Sequence, residues 1–353
     1  MLRSWVFPLF VVAAALLLGA ARPTPAQSPR IVAIGDLHGD HDAWIAIARS
    51  AGLIDKKGKW AGGNTTLVQL GDVVDRGPDS LKIIRDLMLL QHQAPRSGGK
   101  VYVLVGNHEA MNMTNDLRYV HPHDFAAFAD RDSGARRDAV YEANKKAIEA
   151  AYKARFPAMT PEAIRADWIK VTPLGKVEHQ AAWSPEGEIG RWVIRNPAVL
   201  KLGDTLFVHG GISAAYAGLS IDQINRRVAN ALKAKEEATS SIINEPLGPL
   251  WYRGLVTRQG DDDTTRPQAA TAAPLTIDEE IDLDLRSFGV KRIVVGHTPS
   301  LAGIVSASGG RLWRADSANS RAYGGTPSYL EIVGDRVTAH AVARPAGAPW
   351  GEP

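Results

Sequence analysis

Apolar and polar residues alternate along the first third of the chain in a way that predicts strands separated by helices. Short β-branched runs bounded by glycine predict strands at residues 31–34, 66–70 and 101–105. Between them, residues 40–51 and 78–92 repeat their apolar positions every three or four residues, which predicts helices. This β-α-β-α-β order is typical of an α/β fold in which helices cover parallel strands.

The alternation stops between residues 111 and 190, where the chain is polar and rich in alanine. Strand signals are few here, and residues 138–154 and 160–168 predict helices. We therefore expect a mainly helical insertion, of about residues 111–190, that lies over the ends of the strands. Asp116, Arg118 and Tyr119 in this segment either line a substrate entrance or belong to a solvated loop.

Strands and helices return after the insertion. Strands are predicted at residues 191–194, 199–202, 205–208 and 291–295, and antiparallel strands at 311–314, 328–333 and 336–342. Helices are predicted at 221–238 and 278–288, a mobile surface loop at 258–276 and a disordered tail at 346–353. We interpret residues 27–345 as a single domain.

The first 26 residues have the plan of a secretory signal peptide. Arg3 precedes an apolar run, and small residues offer cleavage points after Ala21 and Ala26. An uncleaved membrane anchor is the alternative, but Pro8 and the small-residue exit favour cleavage. The sequence thus predicts a periplasmic or secreted protein with no stable membrane association once the leader is removed.

Composition and charge exclude several kinds of site and one class of binding partner. The 353 residues are 45% hydrophobic and 22% charged, as in globular proteins. The chain has no cysteine, which excludes disulfides, thiolate metal sites and a cysteine nucleophile. Removing Arg3 and Arg22 leaves 39 basic against 38 acidic residues, a formal charge of +1. With no long basic run either, no nucleic-acid partner is expected.

Polar clusters follow five of the predicted strands directly. They are Gly35-Asp36-Leu37-His38-Gly39-Asp40, Gly71-Asp72-Val73-Val74-Asp75-Arg76-Gly77, Gly106-Asn107-His108-Glu109, His209-Gly210-Gly211 and Gly296-His297-Thr298. The carboxyl ends of strands form the binding crevice of an open α/β sheet, so the clusters should converge. Aspartate, asparagine and histidine are ligands for divalent metals, and this supply suffices for two ions. In extended backbone Asp36 and His38 would point to the same side.

Each cluster by itself also has a purely structural interpretation. Asp36-Leu37-His38 can be a turn with a polar tip, and Gly-Asn-His-Glu can be a turn followed by a helix cap. His209 and His297 can be ordinary hydrogen-bonded histidines. The repetition of metal-type side chains at five strand ends favours the metal site over these separate explanations.

The order of these motifs resembles that of the calcineurin-like metallophosphoesterase superfamily, in its phosphoprotein phosphatase branch. Ala110-Met111-Asn112-Met113 and Leu250-Trp251-Tyr252-Arg253-Gly254 are similar to phrases of the bacterial Shewanella-like phosphatases. The resemblance implies a metallophosphoesterase-type two-sheet β-sandwich flanked by helices. Val73 replaces the tyrosine of the eukaryotic second motif, and the Ser-Ala-Pro-Asn-Tyr phrase of that branch is absent. Neither toxin sensitivity nor serine/threonine preference is therefore implied.

The resemblance also implies roles for individual residues. Asp36, His38 and Asp72 would hold one ion, and Asp72, Asn107, His209 and His297 would hold the second, with Asp72 bridging. Two divalent ions roughly 3.5 to 4 Å apart, bridged by a hydroxide, would direct that hydroxide at phosphorus. A donor set of oxygen and nitrogen without thiolate suits manganese, with iron or zinc as alternatives.

Four further residues are assigned to the chemistry. His108 is the expected general acid for the leaving oxygen, and Asp75 is expected to hold its other ring nitrogen. Arg76 can bind phosphate oxygens in a bidentate way. Arg253 is either a second phosphate-binding arginine or part of a surface ion pair. Glu109 is expected to be structural.

The sequence therefore predicts a metal-dependent phosphomonoesterase. Its substrate would be a phosphorylated protein or peptide, with phosphotyrosine suggested by the Shewanella-like resemblance, or a small phosphomonoester. One alternative is a small-molecule hydrolase such as a dinucleoside-polyphosphatase. The other is a non-catalytic metal- or phosphate-binding module, which would have no need of the acid His108.

Overall fold

The computed structural model describes residues 29–258 and 275–344, together with Met1 and Ala346. Within these ranges two mixed β-sheets pack face to face, and helices cover their outer faces. The predicted α/β sandwich of two sheets flanked by helices is confirmed.

The strands are short. In chain order they are β1 (Arg30–Ile34), β2 (Thr66–Gln69), β3 (Lys100–Val103), β4 (Val199–Leu202), β5 (Thr205–Val208), β6 (Arg292–Val295), β7 (Val305–Ala307), β8 (Leu312–Arg314), β9 (Ser328–Val333) and β10 (Arg336–Ala341). The first sheet has the order β10-β9-β1-β2-β3, and the second has the order β4-β5-β6-β8-β7. Strands β1, β2 and β3 are parallel, as are β5, β6 and β8.

The helices lie between and outside these strands. They are α1 (His41–Ser50), α2 (Ser80–Gln93), α3 (Asn107–Met113), α4 (Pro122–Ala126), α5 (Ser133–Arg155), α6 (Pro161–Val171), α7 (Lys176–Trp183), α8 (Glu188–Arg195), α9 (Ile221–Ala234) and α10 (Ile277–Phe288). The segment of residues 111–190 is mainly helical, as predicted, and α5 extends beyond both ends of its predicted range.

Alternation along the strands produces two apolar layers. Ala33 packs between the sheets with Phe207, Val294 and Leu330, whereas its neighbours on β1 belong to the larger cluster shared with the helices. Successive side chains of a strand point to opposite faces, so one strand can contribute to both layers. This double burial holds the parallel strands rigidly, and their carboxyl ends share one edge of the molecule.

Two predictions about elements are wrong, and a third is only partly confirmed. Residues 191–194 lie in helix α8, because Ile189, Trp192 and Val193 are buried at helical spacing even though the segment is β-branched. The helix predicted at 221–238 ends at Ala234, where Lys235 takes a left-handed conformation. The segment predicted at 311–314 as an antiparallel strand forms β8, which pairs antiparallel with β7, as predicted. Its parallel pairing with β6 on the other side was not predicted.

Three predicted segments fall outside the described residues. They are the leader of residues 1–26 apart from Met1, most of the loop at 258–276, and the tail at 346–353 apart from Ala346. Among the described helices, none combines the length and apolar character needed to cross a bilayer.

Candidate functional site

The structure brings the five polar clusters together at the carboxyl ends of the strands. Five of the six residues predicted as metal ligands come from the loops after β1, β2, β5 and β6, and the sixth is the first residue of α3, after β3. All six are buried: Asp36, His38, Asp72, Asn107, His209 and His297. Loops separated by 261 positions in sequence meet here, since the His297 amide donates to the Asp36 carboxylate at 3.1 Å.

The loops that carry these residues are sharply turned. His38, Asp72 and His297 have positive φ values of 41°, 53° and 62°, a conformation that costs free energy for residues other than glycine. Asp36 and His38 therefore share a tight turn rather than the extended backbone that was predicted. Position 106 requires glycine because its backbone lies very close to Asp72. A Cβ at this position would lie 2.2 Å from Oδ1 of Asp72.

Asp72 lies at the centre of the cluster. Its ligand oxygen and the ring nitrogens of His38 and His108 lie within 4.8 Å of one another, and the same holds for Asp72, His209 and His297. Oδ2 of Asp72 is 3.8 Å from Nε2 of His38 and 3.4 Å from Nε2 of His209. One carboxylate thus belongs to both groups of potential ligands.

Asp36 and Asn107 complete the two groups. Oδ2 of Asp36 is 3.8 Å from Nε2 of His38, and Oδ1 of Asn107 is 2.9 Å from Nε2 of His209. These are distances at which neighbouring atoms can share a cation.

The histidines are oriented with one ring nitrogen towards the cluster. Nδ1 of His209 lies 2.8 Å from the Leu70 carbonyl, and Nδ1 of His38 lies 3.1 Å from the Val74 carbonyl. A proton held on Nδ1 by a carbonyl leaves Nε2 free as a metal ligand. Nε2 of His297 is buried and has no hydrogen-bond partner among the described residues. The donor set therefore fits divalent cations.

The electrostatics of His38 and His297 agree with that fit, whereas at His209 the charge of Asp72 outweighs burial and raises the pKa above its usual value. Burial and the neighbouring His108 lower the pKa of His38 to about 3, and burial with His209 holds the pKa of His297 well below its usual value. Both rings are thus neutral, as metal ligands must be. Burial, and then the negative charges of Asp316 and Asp72, raise the pKa of Asp36. A bound cation would relieve this crowding of carboxylates.

His108 and Asp75 form a hydrogen-bonded pair beside the cluster. Nδ1 of His108 lies 2.6 Å from Oδ2 of Asp75, and the Asn112 amide donates to Oδ1 of Asp75 at 2.9 Å. Burial lowers the pKa of His108, but Asp72 and Asp75 outweigh it and raise that pKa above its usual value. The charged ring can hold a proton on Nε2, the nitrogen that Asp75 does not occupy.

Two arginines border the cluster in different ways. The Arg76 guanidinium lies 4.4 Å from the ring centre of Tyr119 and 5.2 Å from that of Tyr323. Its Nε is buried without a hydrogen-bond partner in the described part of the chain. Nη1 of Arg253 donates to the His297 carbonyl at 2.7 Å, so Arg253 supports the turn at His297.

Glu109 has a structural role in the arrangement of two loops. Its carboxylate accepts hydrogen bonds from the backbone amides of Asp72, Val73 and Gly106 at 2.8 to 2.9 Å. Burial, and then Asp72, raise its pKa to about 7. The carboxylate therefore fixes the second and third motifs to each other.

A sixth loop, at residues 315–325 after β8, also contacts the cluster and was not predicted. Asn319 donates to the Asp36 carbonyl at 3.1 Å, and the ring of Tyr323 lies 5.1 Å from that of His38. The sequence did contain a signal for this loop, because Asp316-Ser317-Ala318-Asn319 is a polar cluster directly after a strand. It went unused because only antiparallel pairing of β8 was predicted, which would send its carboxyl end to the other edge of the sheet.

A cavity of about 650 Å³ opens beside the cluster. Asp116, Arg118 and Tyr119 of the inserted segment line it, as one interpretation of the sequence predicts, and Trp251 lines it too. The ring of Tyr119 lies 5.2 Å from that of His108, and the ring of Trp251 lies 5.8 Å from that of His297. Two residues that line the cavity thus contact the site, Tyr119 at His108 and Trp251 at His297.

Comparisons with known proteins agree with this geometry. The profile of the calcineurin-like phosphoesterase family matches residues 29–301. Shewanella-like protein phosphatase 2 of Arabidopsis thaliana is 33% identical over 316 residues, covering 87% of this chain and 75% of that protein. Shewanella-like protein phosphatase 1 of Plasmodium berghei is 29% identical over 227 residues, covering 63% of this chain and 51% of that protein.

A solved structure is also similar. The cold-active protein-tyrosine phosphatase of a psychrophilic Shewanella species aligns with a TM-score of 0.63 and 25% identity, covering 90% of this chain and 81% of that one.

Proposed function

Because the chain belongs to the calcineurin-like phosphoesterase family, we propose that this metal-dependent phosphatase hydrolyses phosphotyrosine in proteins or peptides. The observation that carries the proposal is the aromatic-lined cavity beside the His108–Asp75 pair. A phosphate bound at the cluster would direct its leaving group into this cavity, where Tyr119 and Trp251 can contact an aromatic ring. The solved Shewanella structure, titled a protein-tyrosine phosphatase, supports the same substrate class.

Two divalent cations are assigned to the cluster. Asp36, His38 and Asp72 would hold one, and Asp72, Asn107, His209 and His297 would hold the other. When bound, such ions lower the pKa of a bound water and neutralise phosphoryl oxygens. We propose manganese, with iron or zinc as alternatives, because the ligands are oxygen and nitrogen atoms of intermediate hardness.

The protein's own residues bind the phosphate and move a proton. Arg76 donates from Nε, which has no partner among the described residues, to a phosphoryl oxygen, and its planar group is held against the Tyr119 ring. Arg253, whose Nη1 fixes the His297 turn, contributes its remaining N–H groups from the other loop.

Water attacks phosphorus in line with the leaving oxygen, and the bond between phosphorus and that oxygen breaks. His108 gives its Nε2 proton to the leaving oxygen, and the Asp75 carboxylate stabilises the imidazolium beforehand. The products are inorganic phosphate and the free hydroxyl compound, here the tyrosine side chain. The secretory-type leader favours export, so we place this activity in the periplasm or outside the cell.

The test is a comparison of substrates with the purified protein and added manganese. A phosphotyrosyl peptide, its phosphoseryl counterpart and a dinucleoside tetraphosphate are compared by kcat/KM. We expect the phosphotyrosyl peptide to be the best substrate, and His108→Ala to lower its kcat by about 10² to 10⁴-fold. A higher kcat/KM for the dinucleoside tetraphosphate would contradict the proposal, as would full activity of His108→Ala.

A further inference from the structure

The inserted segment, residues 111–190, contacts the catalytic loops through a buried carboxylate. Asp124 on α4 is 2% exposed and lies at the first residue of helix α2. Its Oδ1 accepts the Ser80 amide at 3.0 Å, and its Oδ2 accepts the Ser80 hydroxyl at 2.6 Å. No sequence motif pointed to Asp124.

Ser80 connects Asp124 to Asp75 through a second hydrogen bond. The backbone amide of Asp75 donates to Oγ of Ser80 at 3.1 Å. Since the same hydroxyl donates to Asp124, its orientation is fixed on both sides. Asp124 thus reaches the backbone of Asp75 through one intervening side chain.

A second bond joins the inserted segment to the same turn. The amide of Arg76 donates to the Tyr119 carbonyl at 2.8 Å. Asp75 and Arg76 have φ values of 69° and 66°, so two successive residues occupy the left-handed region. A non-glycine residue keeps this conformation only where surrounding contacts impose it. Both amides of the strained turn are held, one by Tyr119 directly and one by Asp124 through Ser80.

The position of this turn decides where the Asp75 carboxylate meets His108. That contact spans only 2.6 Å, and proton transfer depends steeply on the placement of the donor. The rings of Phe125, next to Asp124, and of Phe128 pack at 5.2 and 5.1 Å from that of His179 on α7, which anchors α4 within the insertion.

We propose that Asp124 is a positioning residue for the general acid, acting through Ser80 on Asp75 and hence on His108. The inserted segment is then part of the catalytic apparatus as well as a wall of the cavity. This inference rests on the proposed function, in which His108 protonates the leaving oxygen.

The dependence of kcat/KM on the leaving group distinguishes a positioning role of Asp124 from a purely structural role. Phenolate is a more basic leaving group than p-nitrophenolate, so phenyl phosphate depends more on a proton donor. We expect Asp124→Ala to lower kcat/KM for phenyl phosphate by about tenfold or more, and that for p-nitrophenyl phosphate by less than about threefold. Equal losses on the two substrates would overturn the inference.

Two further variants sharpen the test. Ser80→Ala removes the hydroxyl that links Asp124 to Asp75 and should give the same uneven loss, so it replaces Asp124→Ala if that variant fails to fold. Ile164→Ala is the matched control, because Ile164 is buried in α6 of the inserted segment and is not one of the residues that link Asp124 to Asp75. It should loosen the insertion without a difference between substrates, and an uneven loss in this control would count against Asp124.

A double-mutant comparison distinguishes failure of this inference from failure of the proposed function. In a His108→Ala background, Asp124→Ala should add no further loss on phenyl phosphate, since both changes act on one step. A full additional loss would overturn the role of Asp124 alone. If His108→Ala itself shows no stronger effect on phenyl phosphate than on p-nitrophenyl phosphate, the general-acid assignment falls and the inference falls with it.

Discussion

Asp72 illustrates how much one residue can determine in this site. Its carboxylate lies in both groups of potential ligands, and its Oδ1 also accepts the backbone amide of His108 at 2.9 Å. Burial raises its pKa, but the imidazoles of His209 and His108 outweigh burial and bring that pKa well below its usual value. The low pKa favours the charged carboxylate, the form that binds cations.

We predict that Asp72→Asn lowers the occupancy of both metal positions together. An amide offers one neutral oxygen where the carboxylate offers two charged ones, so neither group of ligands remains complete. The measurement is metal content per chain after exhaustive dialysis. Asp75→Asn is the control, because it changes a buried carboxylate outside the two groups and should retain the metal. Two tightly bound ions in Asp72→Asn would disprove the bridge.

Arg76 is expected to act on phosphate and not on metal. Lysine cannot reproduce the planar, multiply donating guanidinium or its contact with Tyr119. Arg76→Lys should raise KM for p-nitrophenyl phosphate by about tenfold or more, the value of one or two hydrogen bonds to a charged group. Metal content should not change. Arg118→Lys changes an exposed arginine that lines the cavity beside the site and should leave KM within about twofold. Loss of metal from Arg76→Lys would instead make Arg76 structural.

Among the elements, α8 and the pairing of β8 could not be predicted from the local sequence pattern. The residues Arg191, Trp192, Val193 and Ile194 are β-branched or aromatic enough to predict a strand, yet burial at a spacing of three and four makes them helical. A window of four residues cannot distinguish a strand pattern from a helix pattern, so tertiary packing decided that this segment is helical. The direction of β8 depends on its pairing with β6, which lies 17 or more residues earlier and leaves no local trace.

Helix α10 carries a buried acid that affects stability. Neither carboxylate oxygen of Asp284 has a hydrogen-bond partner among the described residues, and burial, then Glu280, raise its pKa to about 9. Since this pKa lies above the value in an unfolded chain, the folded state binds more protons between about pH 4 and 9. The group therefore lowers the free energy of unfolding progressively as pH rises through that window.

Asp284→Asn should remove this dependence. The stability of the variant relative to wild type should increase by about 1.4 kcal/mol per pH unit, about 4 kcal/mol between pH 5 and pH 8, measured by urea unfolding at each pH. Asp278→Asn changes an exposed carboxylate on the same helix and should show no such increase. A constant difference between Asp284→Asn and wild type across this range would mean that Asp284 is already ionised in the folded protein.

At the scale of the whole molecule, the site exists because two sheets present their carboxyl ends together. The convergence of five loops could be predicted, since polar clusters after parallel strands must meet at one edge. The hydrogen bonds that hold those loops in place from distant parts of the chain could not be predicted. Arg344 donates to the Asp40 carboxylate at 3.0 Å across 304 positions, and Asp124 reaches Ser80 from the insertion. Such bonds join single residues of unrelated elements, and no periodicity or motif marks them.

Removing metal should weaken the whole fold. Burial, and then the charges of neighbouring carboxylates that include Asp72, raise the pKa values of Asp36 and Asp316, and cations would compensate this charge. A ligand present at 100 times its Kd stabilises the folded state by about 2.7 kcal/mol per site. We expect chelation to lower Tm by several degrees and manganese to restore it, followed by thermal unfolding. The Asp72→Asn protein should show little response, and an unchanged wild-type Tm would argue against tight sites.

The order of strands in the first sheet has a consequence for how the protein is made. Strand β1, the first of the described strands in chain order, pairs on one side with β9, which ends at Val333. During synthesis that flank of β1 has no neighbour until β9 has been made, and Arg76 lacks its contact with the Tyr323 ring until residue 323 has been made. A nascent chain therefore completes this flank of the first sheet about 300 residues after β1 is synthesised. Chains released earlier would expose a bare strand edge, a template for aggregation.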